Sequence, residues 1–480
     1  MQTYDLVVIG SGPAGQRAAV QAAKLGKRVA LIERQRRVGG VAINTGTIPS
    51  KTLRESVLDV IRIPQEREFG GTRPRRGDIS VGDLLSRCDT VMRREREVVQ
   101  SQLERNGVRL FCGLGSFQSP HVLRIDDEDG SQTLEAAHVL IAVGTEAGMP
   151  GALSVDHDRV LTSDDIPTLR VLPHALTVVG AGVIGLEYAT MFAALGVEVT
   201  LIDKRNTLLE MVDREVSDAL AHRARAMNVT FRLGEEVAAL RRGRDDSVIV
   251  ELASGKRFVS DHVLLSVGRM GATATLNLES AGLEADDRGR LAVDVHCRTP
   301  VPHIYAAGDV IGFPALASTS AEQGRLAACH MFGVPAESVP ELFPYGIYAV
   351  PEIAWVGASE EDLTRRGVPY ESGVARYREI ARGQILGDLD GMLKILFHLE
   401  TREILGVWVL GTQATELVHI GQAVMALHGG LDYLMRTVFN YPTLAECYKV
   451  AAYDGYNKMR ALAAGEPEVI PQPDEERKAA

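Results

Sequence analysis

A glycine cluster near the start of the chain has the spacing of a dinucleotide-binding turn. Gly10, Gly12 and Gly15 directly follow an apolar run, Tyr4 to Ile9, and Glu33 lies 18 positions beyond Gly15. In such a turn the backbone N–H groups and the helix dipole hold a pyrophosphate, while the acidic residue accepts hydrogen bonds from ribose hydroxyls. We therefore predict that this segment binds a dinucleotide.

The same pattern returns later in the chain. Gly180, Gly182 and Gly185 precede a predicted strand, Glu198 to Ile202, and Asp203 follows it. A carboxylate there favours the free ribose 2′-hydroxyl of NAD, because it repels the 2′-phosphate of NADP.

Two basic residues follow that second acid at once. Lys204 or Arg205 could pair with a 2′-phosphate through a charge-assisted hydrogen bond. Both could equally be solvated loop cations, so the residues alone leave NAD and NADP open.

A third candidate segment is the apolar strand Ile304 to Ala307, which runs into Gly308 and Asp309. Glycine permits close backbone approach, and an acid beside it can bind the ribityl hydroxyls of a flavin. An isolated Gly-Asp pair is also an ordinary turn, so this assignment depends on its context.

Both glycine turns lie in one repeated plan of strand, glycine turn, alanine-rich helix, strand and acid. The plan runs from Leu6 to Glu33 and from Leu176 to Asp203, which predicts two dinucleotide-binding units.

Between the two units, Asp83 to Asn106 has the apolar periodicity of a long amphipathic helix. The basic residues on that helix are interpreted as a solvated face without a function of their own; they are Arg93, Arg94 and Arg96.

The stretch from Phe343 to Leu462 is predicted to be an α+β domain. It alternates short strand-like runs, Leu393 to Phe397 and Ile404 to Leu410, with a helix near Glu416 to Leu427. Residues 465–480 are rich in Pro, Glu and Lys without an apolar period, and we expect a disordered tail there.

Composition and charge narrow the class of partner. With 480 residues and 45% hydrophobic content, two or three domains are expected, and the net charge of −11 argues against broad attraction to nucleic acid or anionic membranes. The five cysteines have no metal-binding spacing and are interpreted as thiols in a reducing compartment. We expect no leader peptide and no membrane-spanning run, and therefore a cytoplasmic protein.

Five segments of the chain carry a family resemblance: VVIGSGPAG, Gly39-Gly40 through TGTIPSK, GAGVIGLEYA, YAAGDVIGFPALA and FNYPT. Together they resemble the flavoprotein disulfide reductase family over nearly the whole chain. The resemblance implies an α/β fold with two Rossmann-like domains, one for FAD and one for NAD(P), and a C-terminal α+β dimerisation domain. The implied boundaries are 1–150 and 276–342 for the FAD domain, 151–275 for the NAD(P) domain, and 343–464 for the interface domain.

The departures from that family bear on the chemistry. Where the family carries two cysteines beside the flavin, this chain has Ala42 and Thr47, which cannot store electrons. Where it has a histidine base paired with a glutamate, this chain has Tyr441 and Glu446. A tyrosine titrates near pH ~10 and a histidine near ~6.5, so tyrosine is a poor base for a dithiol. Both losses make sense in a site that has no disulfide to reduce.

The resemblance also implies individual roles. Lys51 lies beside the flavin N5 region and pairs with Glu187, with Thr47, Tyr441 and Glu446 as further candidate catalytic residues. The implied cofactor-binding residues include Thr47, Lys51 and Glu187 but not Tyr441 or Glu446. The others are Gly10, Gly12, Pro13, Ala14, Gly15, Glu33, Gly40, Gly144, Gly180, Gly182, Val183, Ile184, Gly185, Asp203, Lys204, Arg205, Gly268, Arg269, Gly308, Asp309 and Ala317. Val183 replaces the aromatic gate that some relatives place over the flavin. No metal is expected.

These features predict an FAD enzyme that moves a hydride between NADPH and NAD⁺ through one shared site, as a homodimer or a higher homo-oligomer. Two alternatives stay open: an NAD(P)H-dependent quinone or dye reductase, and a non-catalytic flavin-binding sensor of NAD(P)H. A dihydrolipoamide dehydrogenase is set aside, because the lipoyl dithiol would have no cysteine partner. The preferred donor and the physiological direction are not fixed by the sequence.

Overall fold

The computed structural model describes residues 1–66, 80–148, 153–338 and 342–464. Contacts divide the chain into two compact units: the described parts of 1–209, 221–340 and 348–350, and those of 210–220, 341–347 and 351–480. The predicted tail, 465–480, and the predicted boundary at 150 lie outside the described residues. Both predicted dinucleotide-binding units fall within the first compact unit. The finer domain boundaries stay a prediction.

The first sheet of this unit has the order β3-β2-β1-β6-β5-β4, and a later strand, β17 (Ile304–Ala306), pairs with β6. Its β1, β2, β3, β6 and β17 are parallel neighbours, whereas β4 and β5 are antiparallel. The first strands and helices in chain order are β1 (Gln2–Ile9), α1 (Pro13–Lys24), β2 (Val29–Glu33), α2 (Gly40–Asn44), α3 (Thr47–Glu66), α4 (Val81–Arg105), β3 (Arg109–Cys112), β4 (Leu114–Ser119), β5 (Val122–Asp127), β6 (Gly130–Ile141) and β7 (Thr145–Ala147).

Helix α1 forms where its sequence predicts it. Pro13 occupies the first turn, where its missing N–H costs nothing, and Ala14, Ala18 and Ala22 repeat every four residues on the buried face. The predicted amphipathic helix is α4, which begins at Val81 with Ser80 as its cap. Its apolar stripe is buried and that prediction is confirmed.

The second sheet is parallel, with the order β11-β10-β9-β15-β8, and a three-stranded antiparallel sheet, β12-β13-β14, accompanies it. Strand β16 pairs with β7. The elements are β8 (Val160–Thr162), β9 (Ala175–Val179), α5 (Val183–Ala194), β10 (Glu198–Asp203), α6 (Arg214–Ala226), β11 (Val229–Leu233), β12 (Val237–Arg242), β13 (Val248–Leu252), β14 (Arg257–Ser260), β15 (His262–Leu265) and β16 (Arg269–Gly271).

The chain then returns to the first sheet through β17 (Ile304–Ala306) and α7 (Ala317–Met331). Helix α7 packs closely on α1 at Gly324, where a β-carbon would lie only 2.0 Å from the Ala14 carbonyl oxygen. Glycine allows this approach because it has no side chain. This return places Gly308 and Asp309 at the carboxyl end of the first sheet.

The second compact unit has an antiparallel sheet of order β18-β19-β22-β21-β20. The predicted strands at 393–397 and 404–410 and the helix near 416–427 are all present, so the α+β prediction is confirmed. The elements are β18 (Tyr345–Ile347), β19 (Ile353–Gly357), α8 (Glu360–Arg365), β20 (Tyr370–Arg376), α9 (Ala381–Leu386), β21 (Met392–His398), β22 (Ile404–Leu410), α10 (Ala414–Ala426), α11 (Leu431–Arg436) and α12 (Glu446–Ala464).

A buried lysine stabilises this second unit. Lys394 is 1% exposed, and its Nζ lies 3.0 Å from Asp213 Oδ1 and 3.2 Å from Glu215 Oε2, with Glu360 also in contact. Three carboxylates so close together would repel one another without a cation. The ammonium group takes the central position, and we interpret the cluster as structural.

Among the described residues, no helix has both the length and the apolar character needed to cross a membrane.

Candidate active site

The first glycine turn has a backbone that only glycine adopts easily. Gly10 has a φ of +102°, and a β-carbon there would lie 2.4 Å from the Ala142 carbonyl oxygen. A β-carbon on Gly15 would lie 1.9 Å from the Gly10 carbonyl oxygen, whereas one on Gly12 would meet nothing within 4 Å. The N-terminus of α1 is therefore open at Gly12, where a phosphate group can approach the helix dipole.

Glu33 is buried at the end of β2 and faces the turn. Its Oε2 accepts hydrogen bonds from Ser11 N (3.0 Å) and Ser11 Oγ (2.5 Å), and its Oε1 accepts one from Gln35 N (3.0 Å). An ionised carboxylate has about four acceptor positions. These three donors leave room for a ribose hydroxyl, which fits the predicted role of Glu33.

A large cavity opens along this turn and reaches the return segment. Its lining runs from the first glycine turn past Glu33 to Ala317, an extent that suits an elongated ligand such as a dinucleotide. The predicted cofactor-binding residues that line it are Gly10, Gly12, Pro13, Ala14, Glu33, Gly40, Thr47, Gly144, Gly308, Asp309 and Ala317.

Asp309 gives the far end of the cavity an acidic group. Burial raises the pKa of its carboxyl above the ordinary value, while a hydrogen bond from Ser320 Oγ at 3.2 Å partly offsets that effect. The backbone N–H of Gly308 donates to Gln323 Oε1 at 2.9 Å, which fixes the turn before the acid. This fits an acceptor for ribityl hydroxyls.

The cavity lacks a sulfur group at the positions where the resembled family has one. Ala42 and Thr47 both line it, and no cysteine occurs among the described residues of its lining. Four of the five free cysteines are buried, and burial raises the pKa of Cys88 and of Cys297 to about 11. The fifth, Cys112, is exposed on β3. Buried thiols that hold their protons are poor nucleophiles and poor partners for exchange.

Lys51 and Glu187 form the predicted ion pair. Their Nζ and Oε2 atoms are 2.7 Å apart, with 27% of the lysine and 4% of the glutamate side chain exposed. Glu187 Oε1 accepts a second hydrogen bond, from Tyr348 N at 2.8 Å, and the Lys51 ammonium lies 4.9 Å from the centre of the Tyr348 ring. The lysine is on α3 and the glutamate on α5, so the pair joins the two dinucleotide-binding units and holds Lys51 in one orientation.

The second glycine turn copies the first. Gly180 has a φ of +103°, its β-carbon would lie 2.3 Å from the Ser266 carbonyl oxygen, and one on Gly185 would lie 1.9 Å from the Gly180 carbonyl oxygen. Gly182 is again open, and Val183 and Ile184 form the first turn of α5. A second open helix N-terminus, of the kind that suits an anion, is therefore present.

Asp203 is held by four hydrogen bonds. Its Oδ2 accepts from Ala181 N (2.7 Å) and Arg205 Nη2 (2.8 Å), and its Oδ1 from Arg205 N (2.8 Å) and Arg205 Nε (3.0 Å). Burial alone would raise the pKa of Asp203, but the hydrogen bonds from Arg205 and the backbone outweigh it and lower the pKa. Lys204, the other predicted cation, contacts Glu236.

Arg269, on β16, contacts residues that line the cavity. It donates to Thr145 Oγ1 and to the Thr145 carbonyl oxygen, both at 2.8 Å, and its Nη1 lies 3.5 Å from Asp164 Oδ1. Gly268, before it, accepts a hydrogen bond from Gly148 N. Asp164 lines the cavity and Arg269 does not, so Arg269 acts on the cavity wall rather than as part of its lining.

Tyr441 and Glu446 lie in the second compact unit. Tyr441 is 70% exposed, and Glu446 Oε2 accepts a long hydrogen bond from Thr443 N at 3.4 Å. Their predicted role at a partner subunit's flavin stays a prediction.

Three residues of the site escaped the sequence reasoning. Ser11 donates to Glu33 and accepts a hydrogen bond from Gly39 N at 2.9 Å, Asp164 lines the cavity, and Tyr348 contacts both members of the ion pair. Ser11 alone had a signal, its place between two glycines of the first turn.

Comparison with protein families gives two matches. The family described as pyridine nucleotide-disulphide oxidoreductase matches residues 4–324, and the dimerisation domain of the same family matches residues 343–452.

Similar proteins cover nearly the whole chain. The chain is 53% identical over 464 residues to the soluble pyridine nucleotide transhydrogenase of Mycobacterium bovis strain BCG, which covers 96% of this chain and 99% of that one. It is 45% identical over 463 residues to the protein of the same name from Chromohalobacter salexigens, with 96% and 99% covered.

Solved structures share the fold. The Cu(II) complex of the HOCl-induced flavoprotein disulfide reductase RclA from Escherichia coli matches with a TM-score of 0.87 and 27% identity, over 94% of this chain and 99% of that one. LpdA from Mycobacterium tuberculosis matches with a TM-score of 0.86 and 27% identity, over 94% and 99%.

Proposed function

The chain belongs to the pyridine nucleotide-disulphide oxidoreductase family, and we propose that it is an FAD-dependent transhydrogenase that moves a hydride between NADPH and NAD⁺. The observation that carries this proposal is the cavity wall, where Ala42 and Thr47 replace a redox-active disulfide. Electrons delivered to a flavin there have no sulfur to pass to. A second nicotinamide dinucleotide at the entry site is then the natural acceptor.

The balance of the reaction agrees with the residues present. NADPH and NAD⁺ give NADP⁺ and NADH, so one hydride moves and no proton is released or consumed. A general base is therefore unnecessary, and Tyr441 in place of a histidine costs the reaction nothing.

Several residues of this chain would hold the cofactor. The α1 N-terminus at Gly12 would bind the pyrophosphate, Glu33 a ribose hydroxyl, and Asp309 the ribityl chain. Bound FAD would supply the centre that takes up a hydride and gives it up again.

Lys51 is the residue proposed to assist the transfer. Its ammonium group offsets the negative charge that a hydride brings into the site, and such preorganised charge is worth most where water is scarce. Glu187, itself held by Tyr348 N, keeps the ammonium in place. The second glycine turn would bind the nicotinamide dinucleotide at the α5 N-terminus.

We also propose a homodimer. The family's dimerisation domain covers residues 343–452, and large exposed apolar side chains occur from α10 to α12; they are Leu427, Tyr433, Val438, Tyr441 and Tyr453. Large apolar side chains that are exposed on a dimerisation domain are expected to be covered by a partner subunit.

The proposal is tested by hydride transfer without oxygen. FAD-loaded protein is mixed anaerobically with NADPH and thio-NAD⁺, and the reduced thio analogue is followed by its absorbance, before and after alkylation of accessible thiols with iodoacetamide. We expect transfer at the same rate in both samples.

Two outcomes would contradict the proposal. If a naphthoquinone reoxidises the NADPH-treated protein faster than thio-NAD⁺ does, the protein is a quinone reductase. If NADPH leaves the flavin absorbance unchanged, the protein is a nucleotide-binding sensor.

A further inference from the structure

Tyr348 contacts both members of the ion pair between Lys51 and Glu187. Its backbone N–H donates to Glu187 Oε1 at 2.8 Å, and the centre of its ring lies 4.9 Å from the Lys51 ammonium nitrogen. The two charged groups themselves meet at 2.7 Å. One residue thus fixes the carboxylate through its backbone and reaches the cation through its side chain.

The ion pair alone does not fix the direction of the ammonium group. Lysine ends a flexible side chain with three rotatable N–H donors, and the contact with Glu187 Oε2 restrains one of them. The Lys51 side chain is 27% exposed, so water competes for the other two. A second protein contact would hold these N–H bonds in one orientation.

The ring of Tyr348 supplies that second contact. The face of an aromatic ring is negative and attracts a cation that lies within about 6 Å of the ring centre. The Lys51 ammonium lies inside this range. Because Glu187 is 4% exposed and is held by the Tyr348 backbone, the three groups form a closed triangle rather than an open chain.

We propose that Tyr348 is a positioning residue for hydride transfer, whose ring orients the Lys51 ammonium group before the hydride arrives. This inference rests on the proposed function, because it takes Lys51 as the group that offsets the charge brought by the hydride. A charge lowers the barrier most when it need not rearrange during the reaction. The ring is therefore expected to affect the rate of hydride transfer and not the binding of NADPH.

The test is the anaerobic reduction of FAD-loaded protein by NADPH, followed by stopped-flow absorbance of the flavin. Tyr348→Leu removes the ring and leaves the backbone N–H to Glu187 in place. We expect the limiting rate constant to fall about fivefold, while the NADPH concentration that gives half of this rate stays within about twofold. Tyr348→Phe keeps the ring and should retain most of the rate.

A series of fluorinated rings separates charge from shape. Phenylalanine and its mono-, di- and trifluoro derivatives are incorporated at position 348, and each fluorine makes the ring face less negative. The limiting rate constant should fall stepwise, and the trifluoro ring should come within about twofold of Tyr348→Leu. FAD content and melting temperature should stay nearly constant, because the ring keeps its shape. In a Lys51→Met background the series should have no effect, because the cation is gone.

Phe332→Leu is the matched control. The Lys27 ammonium lies 4.9 Å from the centre of the Phe332 ring, which is the same separation as in the proposed contact. These two residues follow the C-terminal ends of α1 and α7, whereas the first glycine turn is at the other end of α1. Loss of the Phe332 ring should leave the limiting rate constant within about twofold.

A stepwise fall along the fluorinated series that disappears without Lys51 supports the inference. It is overturned if the series is flat, if Tyr348→Leu weakens NADPH binding and leaves the limiting rate unchanged, or if Phe332→Leu causes the same loss. Should Tyr348→Leu fail to fold, the fluorinated series carries the comparison. Flavin reduction precedes the choice of acceptor, so failure of transfer to thio-NAD⁺ would overturn the transhydrogenase assignment alone. A wild-type flavin that NADPH does not reduce would overturn both.

Discussion

The two glycine turns have the same backbone and differ in how their acids are treated. In both, a glycine with φ near +100° approaches a carbonyl oxygen from the neighbouring strand, and a second glycine touches the first. The N–H that follows the first glycine donates to the acid in both, from Ser11 to Glu33 and from Ala181 to Asp203. Yet Ser11 and Gln35 donate uncharged groups to Glu33, whereas Asp203 also receives a guanidinium group.

That difference separates two properties of a dinucleotide site. The backbone plan provides an open helix N-terminus with an acid beside it, and it is the same in both copies. The side chains after the second strand decide how readily the acid is available.

The largest expected effect comes from the same substitution in each turn. Gly15→Ala and Gly185→Ala would each place a β-carbon 1.9 Å from a backbone oxygen, so each turn must distort. We expect Gly15→Ala to lose most of its flavin, seen as flavin absorbance per chain. Gly185→Ala should keep its flavin and lose NADP⁺ binding by about 100-fold or more, since severe backbone conflicts cost several kcal/mol.

This pair of variants can break the comparison. Loss of flavin in Gly185→Ala, or retention of flavin with loss of NADP⁺ binding in Gly15→Ala, would show that the two turns have been assigned to the wrong dinucleotides.

The next effect concerns the ion pair between Lys51 and Glu187, which joins the two dinucleotide-binding units. Lys51→Met leaves the Glu187 carboxylate buried without its cation, which should cost about 3 kcal/mol of unfolding free energy. The hydride-transfer kcat should fall about 100-fold, because the preorganised charge is gone. Chemical denaturation and single-turnover kinetics measure the two losses separately.

A double variant separates stability from catalysis. Lys51→Met with Glu187→Gln removes both charges and keeps an oxygen for Tyr348 N, so it should recover much of the lost stability. Recovery of kcat along with stability would mean that Lys51 has only a structural role.

The smallest effect is expected at Asp309, the acid at the far end of the cavity. Burial raises the pKa of Asp309, so in flavin-free protein the folded state resists ionisation of this carboxyl. The resulting destabilisation is absent below the ordinary carboxyl pKa and fully present above the raised one. Asp309→Asn should therefore raise the melting temperature at pH 7.5 by about 1–2 °C and leave it unchanged near pH 3.

Asp309→Asn should also bind FAD several-fold more weakly, because a charged acceptor is replaced by a neutral one. Melting curves of the flavin-free protein at both pH values, with FAD titrations beside them, provide the check. A melting temperature that falls at pH 7.5 would contradict the burial argument.

The sequence was most informative where periodicity and glycine conformation dominate. The strand from Ile404 to Leu410 has the bounds of β22, and the long helix after Ser80 differs from its predicted start by two residues. Such elements follow from local patterns of apolar residues. The pairing of Lys51 with Glu187 needed the family resemblance, because the two residues are 136 positions apart.

Other features depend on side-chain orientation that no local pattern encodes. Arg205 could have pointed to solvent, and only the structure shows both prongs on Asp203. Lys394 is an ordinary charged residue in the sequence, yet it is 1% exposed among three carboxylates from two distant segments. Tyr348 contacts Glu187 through its backbone N–H, which carries no sequence signal at all.

The most direct test of the central claim is to count electrons. FAD-loaded protein is titrated anaerobically with NADPH in the presence of an NADP⁺-removing system, and the flavin absorbance and the free thiols are followed together. The account predicts that one equivalent of NADPH per flavin completes the change and that the thiol count stays constant. Uptake of two equivalents, with two new thiols per chain, would contradict it, because it would reveal the sulfur store that Ala42 and Thr47 exclude.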